Sequence, residues 1–151
     1  MRNYLTITAS GAALVLLALS AFARDHNSLN GTWTLVPAKS EFAGQPVVQS
    51  GTVTINDRQG IIVVSRSFVY EGASETFFYT DSAGSEHNST IHTGKELKSK
   101  TRWDHDVLKV TTTQSGAVTV ENYTLAADGA TMMVSVLRPD HQPITLVFQR
   151  N

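Results

Sequence analysis

Between Thr32 and Arg150 the chain breaks into ten short runs of alternating apolar and polar residues, each stopped by a turn signal. No other feature constrains the fold as much. The i, i+3, i+4 and i+7 spacing of apolar residues that an amphipathic helix needs is not sustained along residues 24–151, whereas period-2 runs recur roughly every eight to twelve residues. The runs are Thr32–Val36, Gly51–Asn56, Ile61–Tyr70, Ser74–Thr80, His87–His92, Glu96–Trp103, Val107–Gln114, Ala117–Leu125, Thr131–Leu137 and Ile144–Arg150. Between them stand Asp57-Arg58-Gln59-Gly60, Glu71-Gly72, Asp81-Ser82-Ala83-Gly84, Thr93-Gly94, Asp104-His105-Asp106, Ser115-Gly116, Asp128-Gly129 and Arg138-Pro139-Asp140. Gly supplies positive φ in such turns, and Asp and Ser bond the local backbone. Links this tight join antiparallel neighbours, so the chain meanders. Val, Ile and Thr make up 35 of residues 24–151, and their stiff first torsion suits a pleated surface.

The facing is readable in individual runs. In Glu96–Trp103, Leu97, Ser99, Thr101 and Trp103 share one face, and Glu96, Lys98, Lys100 and Arg102 the other. That is a dry inner face and a wet outer one. In Gly51–Asn56, Val53 and Ile55 oppose Thr52 and Thr54. Ile61-Ile62-Val63-Val64 is apolar on both faces, which predicts a covering element outside that strand. The longest gap, Pro37–Ser50, reads as a loop or a short helical turn around Lys39-Ser40-Glu41-Phe42 that closes one end. An open ten-strand meander leaves two rows of unpaired amides, and closure removes them. The expected fold is therefore all-β: an antiparallel up-and-down barrel of about eight to ten strands, whose interior is either filled or holds one small ligand.

The first 23 residues read as a signal peptide and residues 24–151 as a single barrel domain. Arg2 provides the positive start, Gly11–Leu19 the apolar stretch and Ala21-Phe22-Ala23 the cleavage site. The stretch is shorter than the ~20 residues a membrane-spanning helix needs. These features predict a periplasmic or secreted protein with no transmembrane segment after processing. The whole chain has 12 Lys+Arg against 13 Asp+Glu, so it lacks the basic field that nucleic-acid binding needs. It has no cysteine, which excludes disulfides, thiolate metal sites and a cysteine nucleophile. Packing alone must hold it together.

Leu29-Asn30-Gly31-Thr32-Trp33-Thr34-Leu35 resembles the G-x-W first strand of the calycin superfamily, which includes lipocalins and fatty-acid-binding proteins. The stretch Gly31–Phe42, the turn Trp103-Asp104-His105-Asp106-Val107-Leu108 and Leu125-Ala126-Ala127-Asp128-Gly129 resemble secreted bacterial lipocalin-like domains. The resemblance implies a lipocalin-like barrel that holds a small apolar molecule. It implies that Trp33 closes one barrel end with a late-strand arginine, Arg150 or Arg138, packed on it. Two departures stand out. The helical pair of fatty-acid-binding proteins does not fit into Pro37–Ser50, and their closing arginine-x-tyrosine carboxylate anchor is missing, because Phe148-Gln149-Arg150 precedes the last residue.

The inward set, and hence the candidate ligand-binding lining, is Trp33, Leu35, Val53, Ile55, Ser99, Thr101, Trp103, Leu108 and Val110. The alternative is a solid core with the hydroxyls bonded to backbone. Phe77-Phe78-Tyr79 places aromatic rings on both faces and marks a portal or a protein contact. His87 and His92 lie five apart on one strand and point to opposite faces. His105 and His141 sit in separate turns beside Asp104, Asp106 and Asp140, and form a site only if those turns meet. Cleavage after Ala23 gives an amino terminus Arg24-Asp25-His26, whose amine, two backbone nitrogens and imidazole make a square-planar set suited to Cu(II) or Ni(II). No other cofactor is expected. Sequons at Asn30, Asn88 and Asn122 matter only in a glycosylating host. No G-x-S-x-G, H-E-x-x-H, phosphate-loop or Rossmann glycine pattern occurs, so no catalytic residue is assigned. Three functions follow in order: an exported protein binding a small apolar or amphipathic molecule inside the barrel; a filled-core interaction module, such as an inhibitor or envelope scaffold; and a barrel cyclase or isomerase. A cavity of a few hundred cubic ångströms favours the first.

Overall fold

The structure, a computed structural model, describes residues 26–82, 88–92 and 95–151. The expected signal peptide lies outside the described residues. Ten strands follow one another: β1 Gly31–Leu35, β2 Ser50–Arg58, β3 Ile61–Tyr70, β4 Ala73–Ser82, β5 Asn88–His92, β6 Lys95–Asp104, β7 Val107–Gln114, β8 Ala117–Leu125, β9 Thr131–Leu137 and β10 Ile144–Arg150. Each is antiparallel to the next, and β1 pairs with both β2 and β10, which closes the sheet into a barrel. Each expected run corresponds to a strand over its described residues. The bounds of β3, β7, β8, β9 and β10 coincide with those the alternation predicts, while β2 runs two residues further, to Arg58.

The turns work as their residues require. Gln59 and Gly60 between β2 and β3 have φ of 53° and 80°, and Ser115 and Gly116 between β7 and β8 have 50° and 83°. Positive φ at both central residues gives the turn whose twist matches the flanking strands. Gly51 serves packing instead. It faces Phe68 across β2 and β3, and a Cβ there would stand 2.5 Å from the ring. Glycine lets Phe68 lie flat over β2.

Alternation sorts each strand into an inner and an outer face. In β3, Ile62, Val64, Arg66 and Phe68 are buried, Val63 is half-buried and Ile61 is half exposed. The expected cover over Ile61 is absent among the described residues. Ile61 instead faces solvent, where single apolar side chains are ordinary.

One end of the barrel is sealed. It carries the β2–β3, β6–β7 and β8–β9 turns and a short 3₁₀ turn, His26–Leu29. Trp33 is completely buried there and donates its indole N–H to the Leu29 carbonyl at 2.9 Å. The Arg150 guanidinium lies over the indole, 4.2 Å from its centre, and donates to the carbonyls of Ser28 at 2.6 Å and Asn30 at 2.7 Å. Arg150 thus fills the role the resemblance implies, and Arg138 lies elsewhere. Asn30 clamps the β2–β3 turn by bonding both backbone polar groups of Asp57. Trp103 donates to the Asp57 carboxylate at 2.8 Å across the same end.

Pro37–Ser50 is a strap. A 3₁₀ turn at Pro37–Lys39 is followed by a bridge between Glu41 and Thr145. Gln45 then bonds the Gln142 carbonyl at 2.7 Å, and Val48 is buried. The segment crosses the barrel end opposite Trp33, and it contains no helical pair.

Candidate functional site

The two ends are packed unequally. Under the strap, at the end carrying the β3–β4, β7–β8 and β9–β10 turns, a cavity of about 580 Å³ opens. Val48, Phe68, Val136, Ile144 and Leu146 make its apolar walls, and Gln45, Arg66, Tyr70, Glu75, His92, Gln114 and Arg138 bring polar groups to it. Strand ends supply most of these residues, so the void lies above the level where inward side chains meet across the lumen.

The floor is a buried ion pair. Arg66 on β3 and Glu121 on β8 are in contact, and only 4% and 3% of their side chains are exposed. In the closed strand order β3 and β8 stand five strands apart in either direction, so the pair spans the barrel. Tyr123, two residues along β8 on the same face, donates to the second Glu121 oxygen at 2.9 Å. Aromatic rings surround the guanidinium, with Phe77 at 4.0 Å, Phe68 at 4.8 Å and Tyr79 at 5.9 Å. Cations favour the negative faces of such rings. The buried Arg66 Nε–H has no acceptor among the described residues.

A second polar cluster stands on the wall. His92 stacks flat on Phe77 with centroids 3.9 Å apart, and its Nε2 lies 2.8 Å from a Glu75 oxygen. A neutral imidazole must carry its proton on Nε2 to bond that carboxylate, which leaves Nδ1 as an acceptor. Tyr70 also bonds Glu75. β4 turns Glu75, Phe77 and Tyr79 to one face, so two rings of the aromatic run point inward; the Phe78 side chain lies outside the described residues.

Burial pushes the phenols of Tyr123, Tyr79 and Tyr70 above their ordinary value of 10.0, and the Arg66 charge offsets part of that rise. For Tyr70 the nearby Glu75 charge adds to it. A raised folded-state value gives stability that is intact below pH 10.0 and is lost as the pH climbs toward the folded value. In an alkaline titration, phenolate absorbance from Tyr79 and Tyr123 is expected only together with the cooperative loss of near-ultraviolet dichroism. Their ionisation in a still-folded chain would show that the cluster is open to water.

Of the nine residues expected to line the interior, Trp33, Leu35, Val53, Ile55, Thr101, Leu108 and Val110 are buried, and Ser99 and Trp103 are half-buried. None of them lines the cavity at the strap end. Among the described residues the buried Ser99 and Thr101 hydroxyls have no hydrogen-bond partner. Arg66, Glu121, Glu75 and the Glu75 partnership of His92 escaped the sequence reading. Their signal was phase: Arg66 falls in step with Ile62, Val64 and Phe68, and Glu121 with Tyr123. His105 and His141 occupy turns at opposite ends of the barrel and do not meet; the exposed His105 lies 3.0 Å from its neighbour Asp104. His87, Arg24 and Asp25 lie outside the described residues, as does the side chain of His26. Among the described residues no three His, Asp or Glu side chains converge to hold a metal.

The sequence matches no protein-family profile and no curated protein. Solved structures do match the fold. The Echinococcus granulosus fatty-acid-binding protein 1 superimposes with a TM-score of 0.62 at 15% identity, covering 82% of this chain and 98% of that one. The Schistosoma mansoni fatty-acid-binding protein in complex with arachidonic acid gives 0.61 at 16%, covering 83% and 98%. An abundant heat soluble (SAHS) protein from Ramazzottius varieornatus gives 0.62 at 15%, covering 82% and 96%. With its consecutive antiparallel strands closed around one lumen and sealed at Trp33, the chain has the lipocalin-like β-barrel fold of the calycins.

Proposed function

We propose that this chain is an exported binding protein that holds a small amphipathic molecule in the strap-end cavity, with the apolar body among Val48, Val136, Ile144 and Leu146. The single observation that carries the reading is the cavity itself. At about 580 Å³ it falls within the roughly 300–1,000 Å³ of small-molecule sites, and its lining mixes apolar walls with a few convergent polar groups. A filled-core interaction module has no use for such a void. The Schistosoma protein, which shares the fold, holds arachidonic acid, and this supports an elongated apolar ligand here.

The test is to fill the space. Leu146→Trp adds bulk directly into the cavity, and overpacking of this kind costs about 1–3 kcal/mol of stability. The variant is expected to remain folded by circular dichroism and to bind the neutral fluorophore N-phenylnaphthylamine at least about tenfold more weakly than the parent, a difference of ~1.4 kcal/mol. Unchanged saturable binding would place the ligand elsewhere.

Export rests on the leader at residues 1–23, and the amino-terminal metal site on the cleavage bond after Ala23. Sequencing of the exported protein is expected to begin at Arg24-Asp25-His26. Copper titration is then expected to show one tight site that His26→Ala removes; equal affinity in the two proteins ends that assignment.

A further inference from the structure

The charges around the cavity determine which head group it accepts. Resting on the binding reading above, we infer that the ligand's polar end is uncharged, a hydroxyl or carbonyl, and that the site discriminates against a free carboxylate. The charged side chains described at the cavity and its floor are Arg66, Arg138, Glu75 and Glu121. They are two cations and two anions, and they balance. Arg66, the buried cation among the described residues, is committed: Glu121 takes its charge, and rings cover the guanidinium.

An incoming carboxylate that bonds the Arg66 Nε–H sets a second anion on a charge Glu121 already neutralises, and one that displaces Glu121 strips it of its cation. Glu121 would then keep just the Tyr123 hydroxyl, at a site where 3% of its side chain is exposed. A buried carboxylate stripped of its cation is strongly unfavourable, because neither water nor a counter-charge replaces the lost partner. The anion would also stand near Glu75, a like charge on the same cavity wall. Arg138 does not offset this. It is exposed at the rim, with Gln45 at 3.4 Å, and water screens charges there.

An uncharged head group meets none of these costs. His92 and Tyr70 on the cavity wall are polar partners for a hydroxyl, and the Arg66 Nε–H, with no acceptor among the described residues, is the kind of buried donor a neutral oxygen satisfies without adding charge. The balanced pair makes the interior polar without making it cationic.

The experiment is displacement of N-phenylnaphthylamine from the processed full-length protein at neutral pH by three ligands of one chain length: dodecanol, methyl dodecanoate and dodecanoate. The alcohol and the ester are expected to bind at least about tenfold more tightly than the acid. Equal or tighter binding of dodecanoate overturns the inference and leaves the cavity reading standing. A protein that binds neither the probe nor any of the three ligands overturns the cavity reading, and the inference with it. Glu121→Gln keeps the shape and frees the Arg66 charge, so it is expected to raise dodecanoate binding at least about tenfold relative to dodecanol. A folded Glu121→Gln protein with the parent's ranking removes Glu121 as the source of selectivity. If that variant does not fold, the parent's ranking decides alone.

Discussion

Glu121→Ala is expected to lower the unfolding free energy by about 3–5 kcal/mol, the cost of leaving one partner of a buried ion pair uncompensated. The deleted carboxylate leaves Arg66 charged, 4% exposed and surrounded by Phe68, Phe77 and Tyr79. Rings attract a cation but do not replace an anion, since a cation–π contact contributes only ~0.5–2 kcal/mol. The Tyr123 hydroxyl loses its acceptor at the same time. Removing both charges is a different experiment. The double variant Arg66→Met, Glu121→Leu is expected to recover most of the loss, because apolar replacements of a buried pair are often neutral or stabilising. Urea midpoints for the parent, the single and the double variants make the comparison. A Glu121→Ala protein within ~0.5 kcal/mol of the parent would mean that water reaches the pair and solvates it.

Trp33→Ala is expected to be comparably severe, for a different reason. The indole is wholly buried at the sealed end, bonded to the Leu29 carbonyl, and it supports the Arg150 guanidinium. Truncating a buried aromatic costs about 3–5 kcal/mol through lost transfer energy and the cavity left behind. For a domain of this size that lowers the melting temperature by roughly 10–20 °C. Arg150→Ala loses hydrogen bonds to exposed backbone carbonyls and is expected to cost only ~1 kcal/mol. A Trp33→Ala protein melting within ~3 °C of the parent would contradict the sealing role.

The strands were legible because each carries its own information. Period-2 alternation, β-branched residues and turn pairs such as Gln59-Gly60 and Ser115-Gly116 act locally, and the ten runs follow from them. Trp33 was legible for a related reason, since its motif lies in one strand. The floor of the cavity was not. Phase places Arg66 inside β3 and Glu121 inside β8, but 55 residues separate them, and their meeting depends on how the sheet closes and staggers. His92 read as a lone imidazole because its partner Glu75 sits on another strand. The void was hidden as well. An inward residue such as Val110 looks the same in sequence whether it packs against a neighbour or faces empty space, and the cavity gathers at strand ends and under the strap, where alternation stops.

The ligand is expected to enter at the strap end and stop above Arg66, and methyl-selective NMR of the protein titrated with dodecanol follows it there. Saturable shifts are expected for Val48, Val136, Ile144 and Leu146, which line the cavity, with Val53, Ile55 and Leu108 of the packed core left unmoved. Shifts confined to the core methyls, or to the exposed Val47 and Ile61, would contradict it.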